Sequence, residues 1–383
     1  MKKSLDFNIR YNLLEGLTFI QRFTAVYMYL EHIDGTGEVT CKGGTNPCCG
    51  CGGVRCEYPT AVNKQTSYFF LFNTMTGNSS LRCRFDGEPT EMQRLIGDTD
   101  AEDHGCGGDF TVDFLFGYAG YEYRKCTDPA VFQHEIIASI DAGKPVIVKV
   151  KSGSPRFYVI TGYDGDALIG CPYHCLNPYT DPGKMEEPPE YSNLDVLYVI
   201  GNKVAPRYTL KDGLNNIRRV MECNINERVW DGYLTKLGGW DKFPSDDGLD
   251  KASPEERKAR ATRVTGRVGL ASPNMYVYNN VSFSNAFGGC CHEKLRRRDL
   301  YKELCIPVFA ELWNNIGDPH EPLLTAGHHM GGFVHWNKDW LTAAPSEVAA
   351  SSAGICETIT KAKEADIQLL EIINRAIAIL DKK

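Results

Sequence analysis

Residues 142–170, AGKPVIVKVKSGSPRFYVITGYDGDALIG, constrain the fold more than any other stretch of this chain. The runs KPVIVKV and RFYVITGYDGDALIG are almost continuously apolar. Such runs mark central strands buried on both faces, because a strand with one wet face alternates. The turn between them is short, so the two strands are expected to pair. A third run of the same kind is LDVLYVIG at 194–201. The intervening CPYHCLNPYTDPGKMEEPPEYSN is stacked with turn formers and reads as a loop. Ahead of the first strand, DPAVFQHEIIASIDAG (128–143) predicts a helix. Asp128 caps it, Pro129 occupies its first turn and Gly143 closes it. The middle of the chain is therefore expected to be a helix followed by an antiparallel sheet.

Around this centre the pattern is mixed. Residues 12–31 carry apolar side chains at helical spacing, with Asn12 and Glu15 placed as a capping box. Residues 41–59, CKGGTNPCCGCGGVRCEYP, have no periodicity and read as a loop. SYFFLF (67–72) is either a strand or the start of a buried helix. TGNSSLRCRFDG (76–87) predicts a turn and then a strand, and PTEMQRLIG (89–97) a short helix. DFTVDFLFGYAGYEYRKC (109–126) predicts a helix, a turn at Gly117–Gly120 and a strand. After about residue 208 the composition turns helical, with a charged, turn-rich interval at 241–266. The expected organisation is a 1–207 α+β domain and a 208–383 mainly helical domain packed on it. No internal repeat is visible.

A chain of 383 residues can bury a sizeable core. Its formal net charge of -7 argues against nucleic acid as a partner, since phosphate binding needs a positive field. The one dense basic run, KLRRRDLYK at Lys294–Lys302, reads as an exposed helix face. Asp6, Arg10 and Glu15 interrupt the N-terminal apolar stretch, so no secretory signal is expected. No apolar run approaches the ~20 residues of a membrane helix. The expected setting is the cytoplasm, with no membrane partner, and self-association is left open. The fifteen cysteines are odd in number and cannot form a complete disulfide framework within one chain. Most read as small buried hydrophobes in a reducing compartment.

The order of SIDAGKPVI, a strand, and a second strand ending in GYD resembles the second half of papain-like folds. More narrowly it is similar to double-glycine leader peptidases and to acyltransferases of the butirosin biosynthesis protein H type. The resemblance spans roughly residues 10–200 and rests mainly on AGKPVIVKV and VITGYDGD. It implies an α+β papain-like core with an antiparallel sheet, here followed by a mostly helical C-terminal half. It also implies a cysteine thiolate at the start of the first long helix and a histidine base at the head of the GYD strand. At those places this chain has NIRYNLLEGL, without cysteine, and Arg156. An arginine stays protonated and cannot accept a proton at neutral pH.

Other residues are candidates for the same chemistry. His104 and Cys106 lie in DHGCGGD, two apart and flanked by glycines, where a Cys–His pair would generate a thiolate. Cys51 belongs to the cysteine-rich loop, with Cys41, Cys48, Cys49 and Cys56, and Cys83 near in sequence. Four thiolates there would make a zinc site, but paired CxxC spacing is missing and no metal is assigned. His174 follows the GYD strand, with Asn177 and Asp181 behind it to orient a base. GGCCHEKL (288–295) also fits an apolar helical stripe and reads as core. In AGHHMGGFVHW, His328 and His329 are candidate ligand contacts.

The leading expectation is a cysteine-dependent hydrolase or acyltransferase acting on a small metabolite or an acyl or amide substrate, without a cofactor. Cys106 or Cys51 would be nucleophile, His104 or His174 base, and Asn177 its orienting partner. The rival is a non-catalytic binder on a degenerate papain-like fold. Arg156 would then grip an anion and Tyr163 and Asp164 would hold the turn. A third reading is a thiol-rich metal or redox protein.

Overall fold

Strand β3 (Val146–Val150) is where the strand expectation is met most directly. In the computed structural model it lies between β4 (Phe157–Asp164) and β6 (Leu194–Lys203), antiparallel to both. The structure describes residues 2–7, 9, 18–33, 64–82, 84, 88–96, 107–152, 156–171, 187–237, 253 and 345–382. The described helices are α1 (Thr18–Leu30), α2 (Lys64–Met75), α3 (Glu91–Ile96), α4 (Asp109–Ala119), α5 (Pro129–Asp141), α6 (Leu210–Asn226), α7 (Val229–Leu237) and α8 (Pro345–Leu380). The remaining strands are β1 (Lys2–Ser4), β2 (Tyr121–Cys126) and β5 (Ala167–Gly170). The sheet runs β1-β4-β3-β6-β2, and β5 pairs with β4. The chain is α+β with an antiparallel sheet.

Register fixes what each face buries. Val146 lies opposite Ile160 and Val199, and Val148 opposite Tyr158 and Leu197. Val146, Val148 and Val150, with Ile160, Tyr163, Leu194 and Leu197, pack with Phe132, Ile136 and Ile140 of α5. On the other face the Phe19 ring of α1 meets Phe157 and Tyr198 edge-on, both at 5.3 Å between centroids. Phe23, one turn on, meets Phe72 of α2 and Phe116 of α4. Each of these side chains contributes about 1.5–3 kcal/mol when fully buried. Burial on both faces is why KPVIVKV shows no alternation.

Helix α5 forms as its sequence predicts. The Asp128 carboxylate accepts from the Ala130 N–H at 3.0 Å, Pro129 follows, and Gly143 takes a φ of +78°. SYFFLF falls inside helix α2. The strand expected within 76–87 does not form among its described residues. Asn78–Ser80 make a single 3₁₀ turn, and Arg82 is turned into a buried ion pair instead of joining the sheet.

Two details shape strand β4. Ile160 faces Gly170 and Gly162 faces Ile169, so Thr161 is an extra residue in a β-bulge. Its hydroxyl donates to the Gly170 carbonyl at 3.0 Å. The bulge lets Ile160 and Tyr163 both face α5. Gly162 lies so close to β1 that a Cβ there would be 2.4 Å from the Lys3 carbonyl oxygen. The β4–β5 loop is Gly165-Asp166, with Gly165 at φ +60°, as in a two-residue hairpin with glycine first.

The described chain divides into two compact units. One gathers the residues up to Thr76 and Arg94–Gly213, including the whole sheet; the other gathers Gly77–Gln93 and the residues from Leu214 onward. In the second unit the Asp366 carboxylate of α8 accepts from Arg82 Nη2 at 2.9 Å and Nε at 3.2 Å, and from the Trp230 indole N–H at 2.8 Å. Arg82 and Asp366 are only 2% and 4% exposed. Helix α8 buries Leu369, Ile372, Ile373, Ala376 and Ile377, one helical stripe. Thr90 and Gln93 form a reciprocal capping box at α3, each side chain bonding the other's N–H.

Three substitutions test this packing by urea denaturation. Gly162→Ala is expected to cost about 1–3 kcal/mol through overpacking against β1, and Gly165→Ala about 1–2 kcal/mol through backbone strain. Asp366→Ala leaves Arg82 buried without its carboxylate and is expected to cost about 3–5 kcal/mol.

Candidate functional site

The head of β4 is built by the β3–β4 turn. The Arg156 carbonyl accepts from the Val150 N–H at 2.9 Å, and the Arg156 guanidinium donates through Nη1 to the Lys151 carbonyl at 2.6 Å. The side chain thus folds back over its own hairpin while remaining partly exposed. Asn193, just ahead of β6, stitches the same turn. Its carbonyl accepts from the Lys151 N–H at 2.8 Å, and its amide donates to the Ser152 carbonyl at 3.0 Å.

Three further residues close in on the first residues of β4. Arg22 of α1 is 1% exposed, and its Nε donates to the Phe157 carbonyl at 2.9 Å. Its Nη1 donates to Gln21 Oε1 at 3.2 Å. Gly107 lies on the Phe157 ring, where an added Cβ would be 2.3 Å from Cζ. Gly108 then caps α4, with its N–H donating to the Ile96 carbonyl at 3.1 Å. Cys171, at the end of β5, donates its N–H to the Val159 carbonyl at 2.9 Å, and its Sγ lies 3.4 Å from the Ile9 carbonyl. The Arg22 guanidinium, the glycine that follows Cys106 and the Cys171 backbone therefore meet β4 at Phe157 and Val159, next to Arg156.

Tyr163 and Asp164 lie at the opposite end of this eight-residue strand. The Tyr163 hydroxyl donates to Asp141 Oδ1 at 3.1 Å, and Lys3 pairs with the same carboxylate at 3.0 Å. Lys3 and then Tyr163 hold the Asp141 carboxyl below its usual range. Asp164 pairs with Lys2 at 3.2 Å. Both residues serve the hairpin and its join to β1, and neither is brought to Arg156. Cys106, Cys51, His104, His174, Asn177, His328 and His329 lie outside the described residues, as does the cysteine-rich loop.

The described thiols are Cys126, Cys171 and Cys223. Burial pushes the Cys126 thiol up, against the guanidinium of Arg124, whose Nη1 lies 2.8 Å from Sγ. Burial also raises Cys223, whose Sγ donates to Glu227 Oε1 at 3.2 Å. A raised thiol stays protonated at neutral pH, so neither is an activated nucleophile. Among the described residues, no three His, Cys, Asp or Glu side chains gather in a group that could hold a metal ion. Among them, too, no helix is long and apolar enough to cross a membrane.

Sequence reasoning missed Arg22 and Gly107. The signal for Arg22 was a guanidinium inside TFIQRFTAVYMYL, on a helix whose Phe19, Ile20, Phe23 and Val26 are all buried. Gly107 carried no signal of its own, because its closeness to Phe157 arises only when α4 is in place. No protein-family model, curated protein or solved structure matches the chain.

Peptide mapping after iodoacetamide treatment at neutral pH is expected to show Cys126 and Cys223 alkylated well below the rate of free cysteine, and at that rate once urea unfolds the protein. Fast labelling of either in the native state would contradict the burial described above.

Proposed function

We propose that the chain binds a small anionic ligand at the head of β4, on a scaffold that resembles papain-like hydrolases and acyltransferases without their histidine at that place. The observation that carries this reading is Arg156. It stands where the resemblance puts the catalytic base, partly exposed and held by the Lys151 carbonyl. A guanidinium is permanently charged and matches the planar fork of a carboxylate or phosphate. Arg22, buried beneath the same strand, holds its first residue by donating to the Phe157 carbonyl. The raised thiols of buried Cys126 and half-buried Cys223 support binding over thiol chemistry at those positions.

A cysteine-dependent hydrolase or acyltransferase is the second reading, and one observation favours it. Gly107, the residue after Cys106, packs on Phe157, the residue after Arg156. In this reading the Cys106 thiolate adds to an acyl carbonyl, with His104 or His174 taking the thiol proton. The tetrahedral adduct then expels an alcohol or amine, which takes that proton back.

Calorimetric titration with inorganic phosphate and with acetate separates the two. The wild-type chain is expected to bind at least one of these anions, and Arg156→Gln to weaken that binding by roughly tenfold or more, since a charge-assisted bond contributes about 1.5–3 kcal/mol. Equal affinity in Arg156→Gln, with an unchanged melting curve, would overturn the binding reading. Alkylation of Cys106 faster than free cysteine would move the assignment to the hydrolase or acyltransferase.

A further inference from the structure

A second concave site lies on the face of the sheet that α5 covers, and Arg156 is not among its walls. The N-terminal turn of α5, the β4–β5 hairpin and the segment leading into β6 enclose a groove of about 700 Å³. Its apolar walls are Pro129, Phe132, Leu168, Pro188, Pro189 and Tyr191. Phe132 is 2% exposed and belongs to the core, which makes that wall rigid.

The charge of the groove is one-sided. Asp166 and Glu190 both line it, with no lysine, arginine or histidine among the described lining residues. Asp166 Oδ1 accepts from Gln133 Nε2 at 3.2 Å, and Glu190 Oε2 from the Ser192 hydroxyl at 3.2 Å. These neutral donors orient the carboxylates without cancelling their charge. Two positive influences must be weighed against them. The N-terminus of α5 carries roughly half a positive charge, but Asp128 already caps it through the Ala130 N–H. Lys151 reaches the rim, where its Nζ donates to the Ser192 carbonyl at 2.9 Å. Counting Asp128, three carboxylates outweigh the helix end and one lysine.

The walls suit the same ligand. Tyr191 lines the groove beside Asp166 and Glu190. A cation over an aromatic face gains a further attraction where water is displaced. Prolines at three wall positions keep the groove preformed, which lowers the ordering cost of binding.

We propose that this groove binds a small organic cation, an ammonium group carried on a compact apolar body. The ammonium sits between Asp166 and Glu190, and the apolar part lies against Tyr191 and the prolines. The site is independent of the anion site at the head of β4.

Calorimetry on the full chain tests it with 2-phenylethylamine, and with 3-phenylpropanoate as an anionic probe of similar shape. The amine is expected to bind at millimolar concentration or below, and the carboxylate not to bind this groove. Asp166→Asn combined with Glu190→Gln is expected to weaken the amine by roughly tenfold or more, as loss of charge-assisted bonds requires. Both positions are hairpin or loop residues, and an unchanged melting curve confirms folding. Arg156→Gln is expected to leave the amine's affinity unchanged, which separates this site from the other. No binding of the amine, equal binding by the double variant, or amine binding lost in Arg156→Gln would each overturn the proposal.

Discussion

The architecture of the sheet-bearing unit depends on β3 being buried on both faces. Val146, Ile147 and Val148 are fully buried because β4 and β6 flank the strand, α5 covers one face and α1 the other. An extended backbone in such a place must hydrogen-bond on both edges. That requirement fixes the register of β4 and β6, and the register fixes everything at their ends. Arg156 can close its turn onto Lys151 only because Phe157 pairs with Lys149. Asn193 can bond Ser152 only because Leu194 pairs with Val150. The candidate sites are thus by-products of one strand's burial.

How much of this was legible in the sequence follows from range. The three apolar runs and helix α5 with its Asp128 cap are written in local patterns and formed there, but the second run breaks at Gly165-Asp166 into β4 and β5, and α4 runs through Gly117 and ends only at Gly120. Strand β1 is only Lys2–Ser4, three residues with no apolar periodicity; β4 makes it a strand by pairing with it across Gly162. The strand expected within 76–87 failed for a similar reason in reverse. Arg82 finds a buried carboxylate on Asp366, 284 positions away, and no window of local sequence contains that partner.

The candidate site divides along the same line. Arg156 stood out because a neighbouring motif said where to look. Arg22 and Gly107 meet β4 only through helix packing, so their neighbourhood emerged from the fold alone. Tyr163 and Asp164 were grouped with Arg156 by closeness in sequence, yet an extended strand carries residues apart at about 3.3 Å each, which sets them at the far end. The groove beside α5 was also illegible. It is assembled from the segments 129–133, 166–168 and 188–192, which come together only in the fold.

The Arg156 guanidinium is the proposed anion contact at the head of β4. Its side-chain Nε–H resonance, assigned by its loss in Arg156→Gln, reports this directly in a titration with inorganic phosphate and acetate. A saturable shift of that resonance is expected with at least one of the two anions, tracking the affinity found by calorimetry. A resonance that stays in place while an anion binds elsewhere, or while no anion binds at all, would contradict it.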